Sequence, residues 1–426
     1  MLFALLFLLC ACRPPGIGAP VDSGDSASRD SEPPEPEDTQ GPDTIPDAPD
    51  PSDALFGEEL PAFTIRISTA NADLLDEEVA GGEHRYVEAT FVYQDRSYGP
   101  VGLRLKGENS FESFRQKPSL KVDFDRFTEG LDLLGLKGVT LNNMDNDYSM
   151  LHERVAYRVY RELGIPAYRA NHARLQVQEL DPDGAVVSDR FYGLYTLLED
   201  ADRDFLERWF EDADGSLFEA WDVDFLDAYV PCPNLYGTAG CFQLEVGEDD
   251  RTRIQAVADA MELQGQAAIE AAEPVLDWDH FLRFWAAEAL IAQFDAYPYT
   301  SPGDDCHVYD DPERGKLVHI PHGNDETFYY PDSDFTQVNG LLARRCKASE
   351  TCWAAFEARV WESLDQTEAW GWLAWYDEVL AQVEPWIAAD ENRPYPDGYV
   401  HYYQEVMRGF IAGRAAGLQR WLGPRS

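Results

Sequence analysis

Between residues 60 and 127 the chain carries short runs in which apolar and polar residues alternate with a period of two, beginning with Phe63-Thr64-Ile65-Arg66-Ile67. After about residue 202 the apolar period lengthens to that of helices. A period of two places alternate side chains on opposite faces of a strand, whereas a helical stripe repeats every three to four residues. Phe63-Thr64-Ile65-Arg66-Ile67, Tyr86 to Tyr93, Val101 to Gly107 and Lys117 to Phe124 read as strands within 60–127, with a turn at Asp95-Arg96-Ser97. In the last of these, Leu120, Val122 and Phe124 share one face, and Ser119, Lys121 and Asp123 share the other. A helix follows over about 148–163, capped by Asp147 or Ser149 and closed by Gly164 and Pro166. A further strand pair is expected at 170–178 and 190–198. Helical patterns then run over 202–212, 251–271, 277–294, 353–365, 367–388 and 399–421, with a loop-rich stretch at 296–345. Strands segregated before helices predict an α+β body with two lobes, a β-rich N-terminal one over about 59–199 and a mainly helical one over about 200–426.

Two segments precede that body. Residues 1–11 are an apolar run too short to span a membrane and suited to a signal-peptide core. Leu9-Cys10-Ala11-Cys12 fits a lipobox, with Cys12 as the acylated residue. Residues 13–58 are rich in Pro, Asp, Glu, Ser and Gly and have too few large apolar side chains to offset ordering entropy, so they read as a flexible acidic tether. The expectation is an exported protein, lipid-anchored to the cell envelope, that touches the membrane only through its anchor. No later run is long and apolar enough to span a bilayer. Two close cysteine pairs, Cys232/Cys241 and Cys346/Cys352, suit small disulfide loops in an oxidising compartment, and Cys306 is left over.

The formal net charge is −45, which makes nucleic acid a poor partner. Against that background there are six lysines, and four of them (Lys106, Lys117, Lys121 and Lys137) fall within one stretch of 32 residues. Such concentration marks a local anion site. Arg104-Leu105-Lys106-Gly107 places a glycine turn between strands, where backbone amides can approach phosphates, and Lys117 and Lys121 on the returning strand add point charges. Glu153 near the start of the following helix is an acidic partner for a lysine, and Glu199 ends the strand Tyr192 to Leu198 between the expected lobes. Asp295, Asp305 and Asp325 lie on neighbouring loops and supply carboxylates that can hold a divalent cation and orient a hydroxyl. His319 and His322 are a weaker metal pair, and neither a Walker A loop nor a nucleophile elbow is present.

Taken in order, these patches resemble the CotH family of atypical protein kinases, named for a spore-coat kinase. Arg104-Leu105-Lys106-Gly107 fits the family's glycine turn and Lys117-Pro118-Ser119-Leu120-Lys121-Val122-Asp123-Phe124 its lysine strand. Asp147 to Leu151 with Glu162-Leu163-Gly164-Ile165-Pro166 fits its helix, and Gly193 to Glu199 its hinge strand. The resemblance spans about residues 60–345. It implies a two-lobed protein-kinase-like fold, ATP with Mg²⁺ or Mn²⁺, and transfer to Ser or Thr of a surface or envelope protein. By position Asp295 resembles the catalytic aspartate and Lys117 or Lys121 the ATP lysine, with Glu153 as its helix partner and Glu199 as a hinge residue. Two positions depart from the pattern. Asp305 stands where the family has asparagine, and Pro321-His322-Gly323-Asn324-Asp325 stands where it has PWDxD, so one aspartate of the motif is Gly323. The alternative these departures open is a catalytically weak surface-binding module on the same fold.

Overall fold

The computed structural model describes residues 50–79, 84–107, 110–232, 240–300 and 303–423. Cys12, the apolar start and most of the acidic tether lie outside these residues. The elements run in the order α1 (Asp53–Phe56), β1 (Ala62–Ser68), α2 (Thr69–Asp76), β2 (Val87–Tyr93), β3 (Arg96–Lys106), β4 (Ser119–Asp123), β5 (Gly138–Asn142), α3 (His152–Glu162), β6 (Ala170–Leu180) and β7 (Val186–Glu199). There follow α4 (Arg203–Trp209), β8 (Ser216–Trp221), β9 (Cys241–Val246), α5 (Thr252–Met261), α6 (Gln266–Ala272), α7 (Trp278–Ile291), β10 (Cys306–Asp311) and β11 (Lys316–Pro321). The chain closes with α8 (Leu341–Lys347), α9 (Glu350–Trp370), α10 (Trp372–Ala389) and α11 (Asp397–Leu422). The fold is mixed α+β, and among the described residues no helix is long and apolar enough to cross a membrane.

The early strands close on themselves. β1 to β7 form a barrel in the order β1-β2-β3-β4-β5-β7-β6, and the closing pair, β1 with β6, is parallel. Alternation decides what fills it: Phe63, Ile65, Phe91, Leu103, Leu105, Leu120, Val122, Leu141 and Leu175 are fully buried inside one apolar cluster. The β2–β3 turn uses Gln94 and Asp95, both with positive φ, so β3 begins at Arg96. Side chains at Arg104, Lys121 and Thr140, in register across β3, β4 and β5, therefore face outward.

The second half is mainly helical, as expected, but the reading of 296–345 as loop-rich needs correction. A four-stranded antiparallel sheet, β11-β10-β8-β9, sits among the helices, and two of its strands lie inside the stretch read as loop-rich. β10 and β11 are buried on both faces, so they lack the polar alternation that marks a strand with one wet face. The second apolar cluster joins this sheet to α3 and α7 and to the late helices α9, α10 and α11. Cys232–Cys241 and Cys346–Cys352 are disulfide-bonded, and Cys306 is a buried free thiol at the start of β10.

Candidate functional site

A cleft of about 590 Å³ separates the outer face of the barrel from the mouth of the four-stranded sheet. From the barrel come Arg104, Lys106, Gly107, Ser119, Asn142 and Leu198; α3 adds Glu153 and Tyr157. The opposite wall is Glu219, Trp221 and Gln243 with Asp304, Asp305, His322, Gly323 and Asp325. Basic groups thus face carboxylates across one cavity.

On the basic wall, Lys106 Nζ donates to Asn142 Oδ1 at 3.2 Å. The Asn142 amide then donates to both oxygens of Glu153, at 2.8 and 2.9 Å. Asn142 is the last residue of β5 and faces the same way as the outward residues of β3, which is how it reaches both partners. Burial acts against the charged form of both groups it bridges. Burial pushes Glu153 up to about 8, helped by the nearby Asp325. Burial also pulls Lys106 below the usual lysine range, although Glu153 pulls the other way. Gly107 ends the strand with φ +105°, and a Cβ there would lie 2.8 Å from Ser110 Oγ, so the turn at the cleft requires glycine.

On the acidic wall, Asp305 precedes β10 with φ +52°. Gln293 Nε2 donates to Gly323 O at 2.7 Å and to Asp305 Oδ2 at 3.3 Å, which ties the end of α7 to both loops. His152 Nδ1 lies 2.6 Å from the Asp325 carbonyl and anchors that loop to the start of α3. Burial pushes Asp305 well above the carboxylate range, and the charges of Asp304, Asp325 and Asp295 add to it. Asp304 is pushed up to about 6, again chiefly by burial. Asp295 is half-buried after α7 and is raised by burial and by Asp325. It stands at the edge of this carboxylate group and outside the lining of the cleft.

Several expected residues are employed elsewhere. Lys117 precedes β4 and turns away from the cleft; it is 5% exposed, and its Nζ donates to Asp390 Oδ2 at 2.6 Å. That buried ion pair offsets its charge. Lys121 reaches Asp200 at 3.4 Å beside the cleft without lining it. Glu199 is buried between Arg169, at 2.8 Å, and Arg208, at 3.0 Å, so its carboxylate is not available to a ligand. His319 and His322 do not form a pair. His319 is enclosed by Phe281, Phe284, Phe225 and Tyr297, and His322 meets His307 edge-on at 4.4 Å. Asn142 and Gln293, which organise the two walls, were not singled out from the sequence. Their only signal there is position, at the end of a strand and of a helix respectively.

Among the described residues, no group of three or more His, Cys, Asp or Glu forms a ready-made cage for a metal ion. The carboxylates of Asp305 and Asp325 are hard oxygen donors, however. They suit a Mg²⁺-like ion that takes one or two protein carboxylates and completes its shell with water and substrate phosphate.

Comparison with known proteins puts this geometry in context. A family model described as CotH kinase protein matches residues 103–390. No curated protein matches. Among solved structures, the Helicobacter pylori proinflammatory kinase CtkA aligns at 10% identity, covering 81% of this chain and 93% of that one, with a TM-score of 0.25.

Proposed function

Given that the chain belongs to the CotH kinase family, we propose that it is an exported, lipid-anchored phosphotransferase that moves the γ-phosphoryl group of ATP to a Ser or Thr hydroxyl of an envelope or surface protein. The observation that carries this reading is the Lys106–Asn142–Glu153 chain facing Asp305 and Asp325 across one cavity. It supplies a lysine held by an acidic residue of α3 on one side and carboxylates for a cation on the other, which are the parts phosphoryl transfer needs.

In this reading Lys106 takes the role expected of Lys117, with Arg104 and the backbone turn at Gly107 completing the phosphate side. Lys121, paired with Asp200, contributes field and not contact. Asp305 and Asp325 hold Mg²⁺ or Mn²⁺, which when bound neutralises phosphate charge. Asp295, at the rim, orients the acceptor hydroxyl and takes its proton as the hydroxyl oxygen bonds to the γ-phosphorus and the bridging oxygen leaves with ADP. Burial of the site strengthens each of these interactions relative to water. Cys12 is the acylated residue of the proposed anchor.

The test is a thermal-shift titration of the full chain with ATP and Mg²⁺ or Mn²⁺, followed by transfer of labelled phosphate to a Ser/Thr-rich acceptor protein. At nucleotide 100-fold above its dissociation constant, binding stabilises by about 2.7 kcal/mol. Lys106→Met and Asp325→Asn should each lose the shift, and Asp295→Asn should keep it while losing transfer. A shift without transfer in the native chain would favour the binding-module reading. No shift at millimolar nucleotide removes the phosphotransferase.

A further inference from the structure

A second cavity, of about 420 Å³, lies away from the cleft and is lined by Arg154, Arg158 and Arg161 of α3 with Trp375 and Val379 of α10. Its size falls within the range of about 300–1,000 Å³ common to small-molecule sites. The three arginines sit at i, i+4 and i+7, so they stack on one helical face, opposite in purpose to Glu153, which enters the cleft. Like charges at that spacing repel, and Arg154, in the first turn, also opposes the helix dipole. A chain with formal charge −45 has nonetheless gathered them around one cavity.

Structural partners account for two of the three. Arg154 Nη1 bonds Gln382 Oε1 at 2.9 Å and lies 3.3 Å from His172 Nδ1. Arg158 pairs with Glu162 and stacks over Trp370 and Trp375. Arg161 has no hydrogen bond or ion pair from its guanidinium among the described residues, and its Nε is buried without a partner. The acidic residues of the lining, Glu58 and Glu378, are exposed, and among the described residues neither forms an ion pair with these arginines. Burial pulls Arg154 down to about 9 and Arg161 to about 10; the neighbouring Arg158 adds to both, while the charges of Glu199 and Asp53 pull Arg161 the other way without bonding it.

We propose that this pocket is a binding site for a phosphate-class oxyanion, carried by a small molecule or by a phosphorylated side chain. Planar guanidinium groups match such an anion bidentately, and the wall of Trp375 and Val379 accommodates an apolar body attached to it. Since α3 also presents Glu153 to the cleft, occupancy of the pocket is felt at the nucleotide site; this coupling alone rests on the function proposed above.

The experiment titrates inorganic phosphate into the full chain at constant ionic strength and follows the melting temperature. A saturable rise of several degrees is expected in the native chain and in Lys106→Met, lost in Arg161→Gln and partly retained in Arg161→Lys. No saturable rise in the native chain overturns the site. So does a rise that Lys106→Met abolishes and Arg161→Gln keeps, since the anion then sits in the cleft. A phosphoserine peptide binding at least tenfold tighter than inorganic phosphate assigns the anion to a protein side chain; equal affinity assigns it to a free ligand. For the coupling, ATP affinity should change to a plateau as phosphate saturates the native chain, with no plateau in Arg161→Gln. A purely competitive decline, identical in both, overturns the coupling. Failure of the nucleotide to bind at all leaves the phosphate result standing by itself.

Discussion

Gly323 has φ +57°, and a Cβ at this position would overlap the carboxylate of Asp305. The two departures from the family pattern are thus one spatial event: the Asp305 side chain fills the space that a residue at 323 would need. Gly323→Ala should cost about 1–3 kcal/mol from backbone strain and the overlap together. Part of that loss should be relieved when Asp305→Gly is added, because neighbouring sites are not additive. Urea denaturation of the two single variants and the double variant measures this, and full additivity would refute the overlap. His319 offers a second residue-level test. It is fully buried, neither ring nitrogen has a hydrogen-bond partner among the described residues, and burial holds it down to about 3. The folded chain keeps it neutral while the unfolded chain protonates it below pH about 6.5, so stability is lost as pH falls from there towards 3. At pH 5 that contribution is roughly 2 kcal/mol. His319→Leu should therefore gain on the native protein by about this amount between pH 7 and pH 5, read from denaturation midpoints at the two values.

Lys117 and Asp390 tie the approach to β4 to the end of α10, and Asp390 also accepts from Leu194 N of β7 at 3.0 Å. Lys117→Met leaves a buried carboxylate without its cation and should destabilise by about 3–5 kcal/mol. The nucleotide-induced thermal shift should survive it. Loss of that shift at unchanged stability would return Lys117 to the role the resemblance implied. The sequence distinguishes Lys117 from Lys106 poorly, because both flank the same polar loop. What separates them is a partner 273 residues away, which no local pattern reports. Strands with one wet face were legible for the same reason that β4 was: Leu120 and Val122 alternate with Ser119 and Lys121. β10 and β11 were not, since Cys306-His307-Val308-Tyr309 and Val318-His319-Ile320 are buried without alternation. The helix expected over 251–271 divides at Gly265, which precedes α6 with φ +53°, and the late pair meets at Gly371. Of the three aspartates the loops offered, Asp305 and Asp325 lie in the acidic wall and Asp295 beside it, but the Asn142 bridge was not legible, because asparagine at a strand end is common and its two partners come from different elements.

With a formal charge of −45, like-charge repulsion acts on the molecule as a whole. Raising NaCl from 10 mM to 0.5 M shortens the screening length from about 30 Å to a few ångströms. The melting temperature should rise across that range, and a flat or falling curve in calorimetry would show that short-range ion pairs outweigh the collective term. Barrel closure has its own consequence for anyone who would isolate the family-matched segment. The family match begins at residue 103, inside β3, and ends at residue 390. A recombinant fragment cut to those limits would lack β1 and β2, leave β6 without its parallel neighbour, and discard α11 from the second core. It would present raw strand edges to other copies of itself and precipitate. A piece that keeps both cores whole is therefore wider than the matched one, reaching back to Asp50, whose carboxylate meets both Arg169 and Arg208, and forward through Leu422.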